Sequence, residues 1–465
     1  MSLFFEELPA LIHCSLKPAN LRGKMGPSCI DSRILKKGEV FWALKDEADG
    51  HDFVADAFRK GAQAAVVSRN WLKKAPPIQK AAYIAVSDPL KALHNLAKSH
   101  RRRFHIPVIA ITGSNGKTAT KELLATALSL RYNLLKSQGN YNNHIGLPLT
   151  LLQLHPDIEM VLLEMGANQP GDVAKLCGIA NPNYGLVINV GPAHLEGLGS
   201  LEGVASEKSS LFNSLPSTGT AFINCDDAKV CAMDSTATSM VCYGFDAERA
   251  GEECDRMVCA EMLEPADDNR ARFRIRDTVF TLSWSGLHQA SNALAAITVA
   301  DRFGVPMDEM AEAFASLPPL EGRLQTEEIA GVTIINDAYN ANLGSTKSAL
   351  EFLQALKTSG KKFVVIGDHL ELGTASDEQH CQIGHLLADS DIDGAFLVGQ
   401  KIQSISRLVP ELVLFYVANE PYDSLVKEIL ATIQNGDVIM FKASRGMQLE
   451  RVMDSLKFKL TEKGV

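Results

Sequence analysis

No two of the nine cysteines are spaced as C-x-x-C, and that absence removes the commonest redox and zinc-ribbon frameworks. Their count is odd, and Cys225, Cys231, Cys242, Cys254 and Cys259 fit no usual zinc spacing, so reduced thiols in a cytoplasmic protein are expected. Also missing is any apolar run of membrane-spanning length, and the opening residues MSLFFEELPALIHC carry Glu6 and Glu7 where a secretory signal needs positive charge. Basic residues are not in excess: 46 Lys and Arg against 55 Asp and Glu leave a net charge of -9. That balance excludes a bulk electrostatic grip on nucleic acid or on an anionic membrane, although local basic pockets stay open. Internal repeats and low-complexity segments are absent too. The expectation is a soluble cytoplasmic protein with no nucleic-acid partner and no membrane insertion.

What is present is enough apolar material for several cores, 46% of 465 residues, and the texture divides into three blocks. In residues 1–104, GEVFWAL, AQAAVVS and AAYIAVS read as strands of a small α/β unit. The segment SDPLKALHNLAKSHRRRF reads as a helix capped by Asp88, with Pro89 in its first turn and Leu90, Leu93 and Leu96 on one face. Arg101 to Arg103 are expected at a solvated helix end, where the dipole favours cations. Residues 105–317 alternate strands such as MVLLEMGA and YGLVINVG with helices, as a parallel sheet requires, and then change to short alternating runs between about 238 and 286. That stretch is expected to form an appended β-meander. Residues 318–465 alternate again through VTIIND, KKFVVIGD, GAFLVG, LVLFYV and DVIMFKAS, the pattern of a second nucleotide-fold sheet. The predicted class is therefore α/β, in three domains.

The strongest local signal is VIAITGSNGKTATKELLATAL, residues 108–128, a β-branched run, a glycine-containing loop and a helix. Gly113 and Gly116 permit a tight turn with N–H groups aimed at an anion, the helix adds its positive N-terminus, and Lys117 reaches the β- and γ-phosphates. Thr118 is placed to ligate Mg²⁺ through its hydroxyl. The generic loop G-x-x-x-x-G-K-[ST] would need glycine where Ile111 stands, so that motif is only partly met. Glu164 falls at a strand end, where α/β sites hold metals and ligands, and His194 follows the next strand in VGPAH. Both could ligate magnesium; read alone, Glu164 could instead form a strand-end salt bridge, and His194 reads rather as a loop hydrogen bond.

TGSNGKT resembles the shortened phosphate loop of the Mur ligase superfamily. GNYNNHIGLPLTLL, LEMGANQPGD, NVGPAHLEGLGSLEGVASEKSSLF, LHQASNALAA, EGRLQ, INDAYNAN, GDHLELG and KASRGMQLE are similar, in order, to further motifs of its dipeptide-adding branch. Asp31-Ser32-Arg33 with the following segment resembles the N-terminal UDP-sugar domain, and the likeness covers nearly the whole chain. It implies a UDP-sugar domain over 1–104, a P-loop ATPase domain over 105–317 and a Rossmann-like domain over 318–465. His144, where the family often has an acidic residue, and Leu343, where proline is usual, depart from the pattern.

The resemblance also implies roles. Gly113, Ser114, Asn115, Gly116, Lys117, Thr118, Asn292, Arg323, Asp337 and Asn340 would bind ATP. Thr118, Glu164, His194 and a carbamylated Lys208 would hold Mg²⁺, with Lys117, Lys208 and Arg323 catalytic. Asp31, Ser32, Arg33, Asn142, Asn143, Ser444 and Arg445 would contact substrate. Without the family, Lys208 reads as a surface helix lysine, Asn292 and Asp337 as helix caps, Arg323 as a linker salt bridge, and residues 31–33 as an ordinary turn. The implied partners are UDP-N-acetylmuramoyl-tripeptide and D-alanyl-D-alanine, joined by a monomer through an ATP-derived acyl phosphate. Alternatives are another superfamily ligase adding one amino acid, a folylpolyglutamate synthase, or a nucleotide-gated binding protein that makes no amide.

Overall fold

Strands that read as unbroken apolar runs are covered on both faces. In VIAIT, Ile109 and Ile111 enter one core while Val108 and Ala110 enter another, the period-two split of a doubly covered parallel strand. Phe363 and Val365 part from Val364 and Ile366 in the same way. The computed structural model describes residues 2–46, 48–74, 78, 80–246, 254–266 and 270–463.

Four sheets follow along the chain. The first has β1 (Ser15–Lys17), β2 (Ser28–Cys29), β3 (Val40–Trp42), β4 (Ala64–Ser68) and β5 (Tyr83–Val86), in the order β1-β5-β4-β3-β2. Only β1 runs antiparallel to its neighbour. The second has β6 (Val108–Thr112), β7 (Leu134–Lys136), β8 (Met160–Glu164), β9 (Tyr184–Val187), β10 (Thr220–Asn224), β11 (Ser239–Gly244) and β12 (Arg256–Cys259). Its order is β12-β11-β10-β9-β6-β8-β7, all parallel. The chain leaves β6 to one side and later returns to the other, so a crevice opens beyond the carboxyl end of β6. A third, antiparallel sheet of β13 (Glu261–Leu263), β14 (Arg270–Ile275) and β15 (Thr278–Ser285) packs over the same core. The fourth comprises β16 (Gln325–Ile329), β17 (Val332–Asn336), β18 (Lys362–Gly367), β19 (Gly394–Val398), β20 (Val413–Val417) and β21 (Val438–Lys442), ordered β16-β17-β21-β18-β19-β20. It is parallel except at the edge strand β16.

Three expectations need correction. The stretch 238–286 is not one meander: β11 and β12 extend the central parallel sheet, and only β13 to β15 form the antiparallel unit. Within that stretch, 247–253 and 267–269 lie outside the described residues. Short alternating runs have the same period in either arrangement, so the sequence pattern did not separate them. Arg101 is not solvated but buried, its guanidinium donating to the carbonyls of Phe104 and Ile106 and so closing the turn after the helix Pro89–Arg101. Finally, not all thiols are reduced, because β11 and the residues before β12 bring Cys242 and Cys254 together in a disulfide, Cα to Cα 5.9 Å. The other features of that first helix match: Asp88 accepts from the N–H groups of Leu90 and Lys91, and Leu93 and Leu96 are buried. No helix among the described residues is long and apolar enough to cross a membrane.

Candidate active site

A cleft of about 1000 Å³ lies where the carboxyl ends of the second and fourth sheets face each other. Its floor is the loop after β6. Gly116 has φ +78°, and a Cβ there would sit 2.2 Å from Asn292 Oδ1, so both the backbone angle and the close approach demand glycine. The Ser114 and Asn115 N–H groups are both spent on Asn189, on its carbonyl at 3.1 Å and its side chain at 2.9 Å. Anion binding therefore falls to the N–H groups of the first turn of helix Lys117–Ser129, which have no intrahelical acceptor. Lys117 curls back over the loop, donating to the Gly113 carbonyl at 2.7 Å, and burial pushes its ammonium pKa down. Asn292 is no cap: it sits in the second turn of helix His288–Arg302, buried, taking the Thr120 hydroxyl and giving its amide to Gln289.

Glu164, at the end of β8, is almost fully buried and multiply held. Oε2 accepts from the Thr118 hydroxyl at 3.1 Å, Oε1 from the Asn142 amide at 2.8 Å, and Lys121 Nζ stands 3.7 Å away. Arg323 crosses from the start of the fourth sheet to donate to the same Thr118 hydroxyl at 3.1 Å, with its guanidinium 4.4 Å from the Tyr339 ring centre. It is a cross-sheet clamp and not a linker salt bridge. Asp337 does not cap a helix either; its carboxylate pairs with buried Lys442 at 2.7 Å and accepts from Leu324 N. Asn340, Ser444 and Arg445 line the same wall.

His194 occupies a left-handed position, φ 53°, and its Nδ1 meets Glu371 at 2.6 Å. That hydrogen bond holds the Glu371 carboxyl below its usual range. Lys208 lies outside the lining but is buried in helix Leu201–Asn213, and burial, helped by the Lys117 charge, pushes it down to about 7. It is not a surface lysine. Its neighbour Glu207 turns away, accepting the Gly171 and Val173 N–H groups, each at 2.6 Å.

The expected substrate residues divide. Asn142 lines the cleft, whereas Asn143 is exposed and spends its carbonyl oxygen on the Ile145 and Gly146 N–H groups. Asp31 and Arg33 pair with each other at 2.7 Å, and Lys60 ties down the Ser32 carbonyl, in the first sheet's unit and outside the lining of this cleft. A second hollow of about 460 Å³ in that unit is lined instead by Lys45, Asp49, His51, Ser68, Trp71 and Asp88, among others. Leu343 opens helix Leu343–Ala355 at the position proline favours, and Asn342 caps it through Ser345 N, so the departure leaves the turn intact. Sequence reasoning passed over Lys121, Asn189, His288, Asn342 and Glu371. All five lie inside stretches already singled out, Lys121 one helical turn after Lys117 in the helix that follows the phosphate loop.

Residues 111–300 match the Mur ligase middle domain, and residues 322–445 match the Mur ligase, glutamate ligase domain. The UDP-N-acetylmuramoyl-tripeptide–D-alanyl-D-alanine ligase of Bacillus subtilis (strain 168) is 34% identical over 434 residues, 92% of each chain. Among solved structures, MurF from Acinetobacter baumannii superimposes with a TM-score of 0.85 at 27% identity, covering 98% of this chain and 99% of that one. MurF ligase from Thermotoga maritima in complex with ADP gives 0.78 at 28% identity, covering 94% and 99%.

Proposed function

This chain belongs to the Mur ligase family, and on that premise we propose that the cleft is where ATP activates a peptide carboxylate for amide formation. The chain is an ATP-dependent ligase of peptidoglycan precursor synthesis that joins D-alanyl-D-alanine to UDP-N-acetylmuramoyl-tripeptide. The observation that carries the site assignment is the convergence of Arg323 and Glu164 on the Thr118 hydroxyl, beside the phosphate-loop lysine.

Chemistry assigns the roles. A carboxylate acylates poorly because oxide is its leaving group, so its oxygen first attacks the γ-phosphorus and ADP departs. The amine of the dipeptide then attacks the acyl phosphate, and phosphate leaves as the amide forms. Lys117, the first-turn N–H groups and Arg323 sit where phosphoryl oxygens need positive charge. Asp337 and Asn340, across the cleft, take the nucleoside, while Asn142, Ser444 and Arg445 face the peptide side. Asp31, Ser32 and Arg33 remain assigned to the uridine end, and Asn143 to shaping the peptide loop. Water exclusion protects the acyl phosphate, which is why the ligands come from two sheets that close on each other.

The Thr118 hydroxyl and Glu164 carboxylate, 3.1 Å apart, are hard oxygen donors that suit Mg²⁺. With His194 Nε2 and carbamylated Lys208 they would hold it, and the ion would offset charge on the triphosphate. Lys208 suits carbamylation because its amine is substantially neutral near pH 7. The reading carries with it a monomer working in the cytoplasm. The test is phosphate release from purified protein across a matrix of UDP-muramoyl peptides and dipeptides. Release should require ATP, the tripeptide and D-alanyl-D-alanine together. Turnover with single amino acids or with glutamyl folates would transfer the reading to another branch, and binding without stoichiometric hydrolysis would make the cleft a switch.

A further inference from the structure

Five of the nine cysteines gather around strands β10 to β12, on the side of the second sheet that ends at edge strand β12, and the ligase chemistry uses none of them. Cys225 follows β10, Cys242 lies in β11, and Cys254 precedes β12, with all three sulfurs within 4.8 Å of one another. Cys242 and Cys254 are bonded; Cys225 and Cys242 are buried, and Cys254 is partly exposed. A free sulfur beside a disulfide, one of whose cysteines is partly exposed, is the arrangement thiol–disulfide exchange requires.

We propose that Cys225, Cys242 and Cys254 form an exchangeable thiol–disulfide site, addressed through Cys254 by small-molecule thiols and disulfides, whose state biases the nucleotide cleft. In opening, an external thiolate attacks the Cys254 sulfur, the bond to Cys242 breaks, and Cys242 leaves as a thiolate that takes a proton from solvent. A second external thiolate displaces Cys254, which is protonated in turn; the protein gains two electrons and two protons, and the small thiols leave as their disulfide. Closing is the reverse. Cys225 supplies an internal branch, its sulfur displacing Cys242 from Cys254 with loss of the Cys225 proton. Burial and the neighbouring Cys231 push the Cys225 thiol up to about 12, so this branch is slower than attack from outside.

The link to the cleft is short. Cys225 sits in the loop whose Asn224, Asp226, Asp227 and Ala228 line the cleft. Cys225 N donates to the Tyr243 carbonyl, one residue beyond Cys242, and the Asp226 carboxylate accepts from Phe245 N at 2.9 Å and from Asp246 N. Asp227 in turn accepts from Val190 N, next to the asparagine that holds the phosphate loop. The disulfide ties β11 to edge strand β12; opening it removes a covalent restraint from the strand end that clamps the cleft loop.

The test equilibrates the full chain in reduced and oxidised glutathione at stepped ratios, quenches with acid, alkylates and maps the cysteine peptides. Expected are reversible interconversion of the Cys242–Cys254 pair and a minor Cys225–Cys254 species that disappears in Cys225→Ser. ATP affinity, read with a fluorescent nucleotide, should differ about fivefold or more between oxidised and reduced protein and should not respond to redox state in Cys254→Ser. Three results overturn the proposal: a pair that stays closed at every ratio, modification confined to Cys231, Cys259 or Cys381, or equal ATP affinity in the two states. The peptide map is read on wild-type protein, so a variant that fails to fold does not remove the test.

Discussion

Burial lowers the Lys208 pKa to about 7, and the sign of the consequence follows by linkage. Between that value and its ordinary value of 10.5, the unfolded chain holds a proton that the folded chain does not. Folded stability attributable to this lysine therefore rises with pH across that window and is level, at its lowest, below it, where both states hold the proton. In CO₂-free buffer the melting temperature of wild type should rise relative to Lys208→Met from about pH 6 to about pH 9; a flat or falling difference would show that the amine is not desolvated. Bicarbonate should restore ligation to CO₂-depleted wild type, whereas Lys208→Arg, which stays cationic and forms no carbamate, should remain inactive. The residue pattern alone read Lys208 as a surface lysine, and its burial beside Val204 and Leu211 on one helical stripe came only with the packing of that helix. Glu164 was legible because strand ends in a parallel sheet face the crevice. Its partner Lys121 was not, since nothing local marks a lysine as buried.

At the level of elements, the helix Asp172–Ala180 begins at Gly171, φ 87°, with no side-chain cap of its own. Glu207, from the neighbouring helix Leu201–Asn213, supplies the acceptor for the Gly171 and Val173 N–H groups and the negative charge that a helix N-terminus favours. Glu207→Ala strips the acceptor from the buried Val173 N–H and from the exposed Gly171 N–H and should cost about 1–3 kcal/mol, seen as a clear drop in melting temperature. Glu207→Gln keeps one acceptor oxygen and should lose roughly half as much. Equal losses would mean that packing, not hydrogen bonding, is what the residue provides. The same two variants report on Lys208, the next residue of that helix, through any change in bicarbonate dependence. The element that pattern reading misassigned, β11 and β12, has the composition of a hairpin but a parallel partner, because pairing is decided by what lies beside a strand and not by its own alternation.

Across the whole molecule, four hydrogen bonds among the described residues join the central and C-terminal parts over the cleft: Arg323 to Thr118 at 3.1 Å, Asn342 to Asn115 at 2.6 Å, His194 to Glu371 at 2.6 Å, and Glu196 N to the Glu371 carbonyl at 3.1 Å. The asparagine pair touches neither acidic nor basic groups that the reaction needs, which makes it the cleanest measure of closure. Asn115→Ala and Asn342→Ala should each raise KM for ATP, and the double variant should be less impaired than the sum by about 1 kcal/mol of coupling energy. Strict additivity would show that the contact plays no part in assembling the site.

The sequence by itself determined the covered parallel strands, the phosphate loop and the order of the motifs, because each depends on residues within one turn or one strand of each other. VIAITGSNGKT encodes a buried strand, a left-handed glycine and a helix start with no help from elsewhere. Only tertiary structure decided which groups meet. Asp337 is paired with Lys442, Arg323 with Thr118, and Cys242 with Cys254. These partners stand 105, 205 and 12 residues apart, and local propensity has no term for separations that only the packing of sheets brings to contact distance.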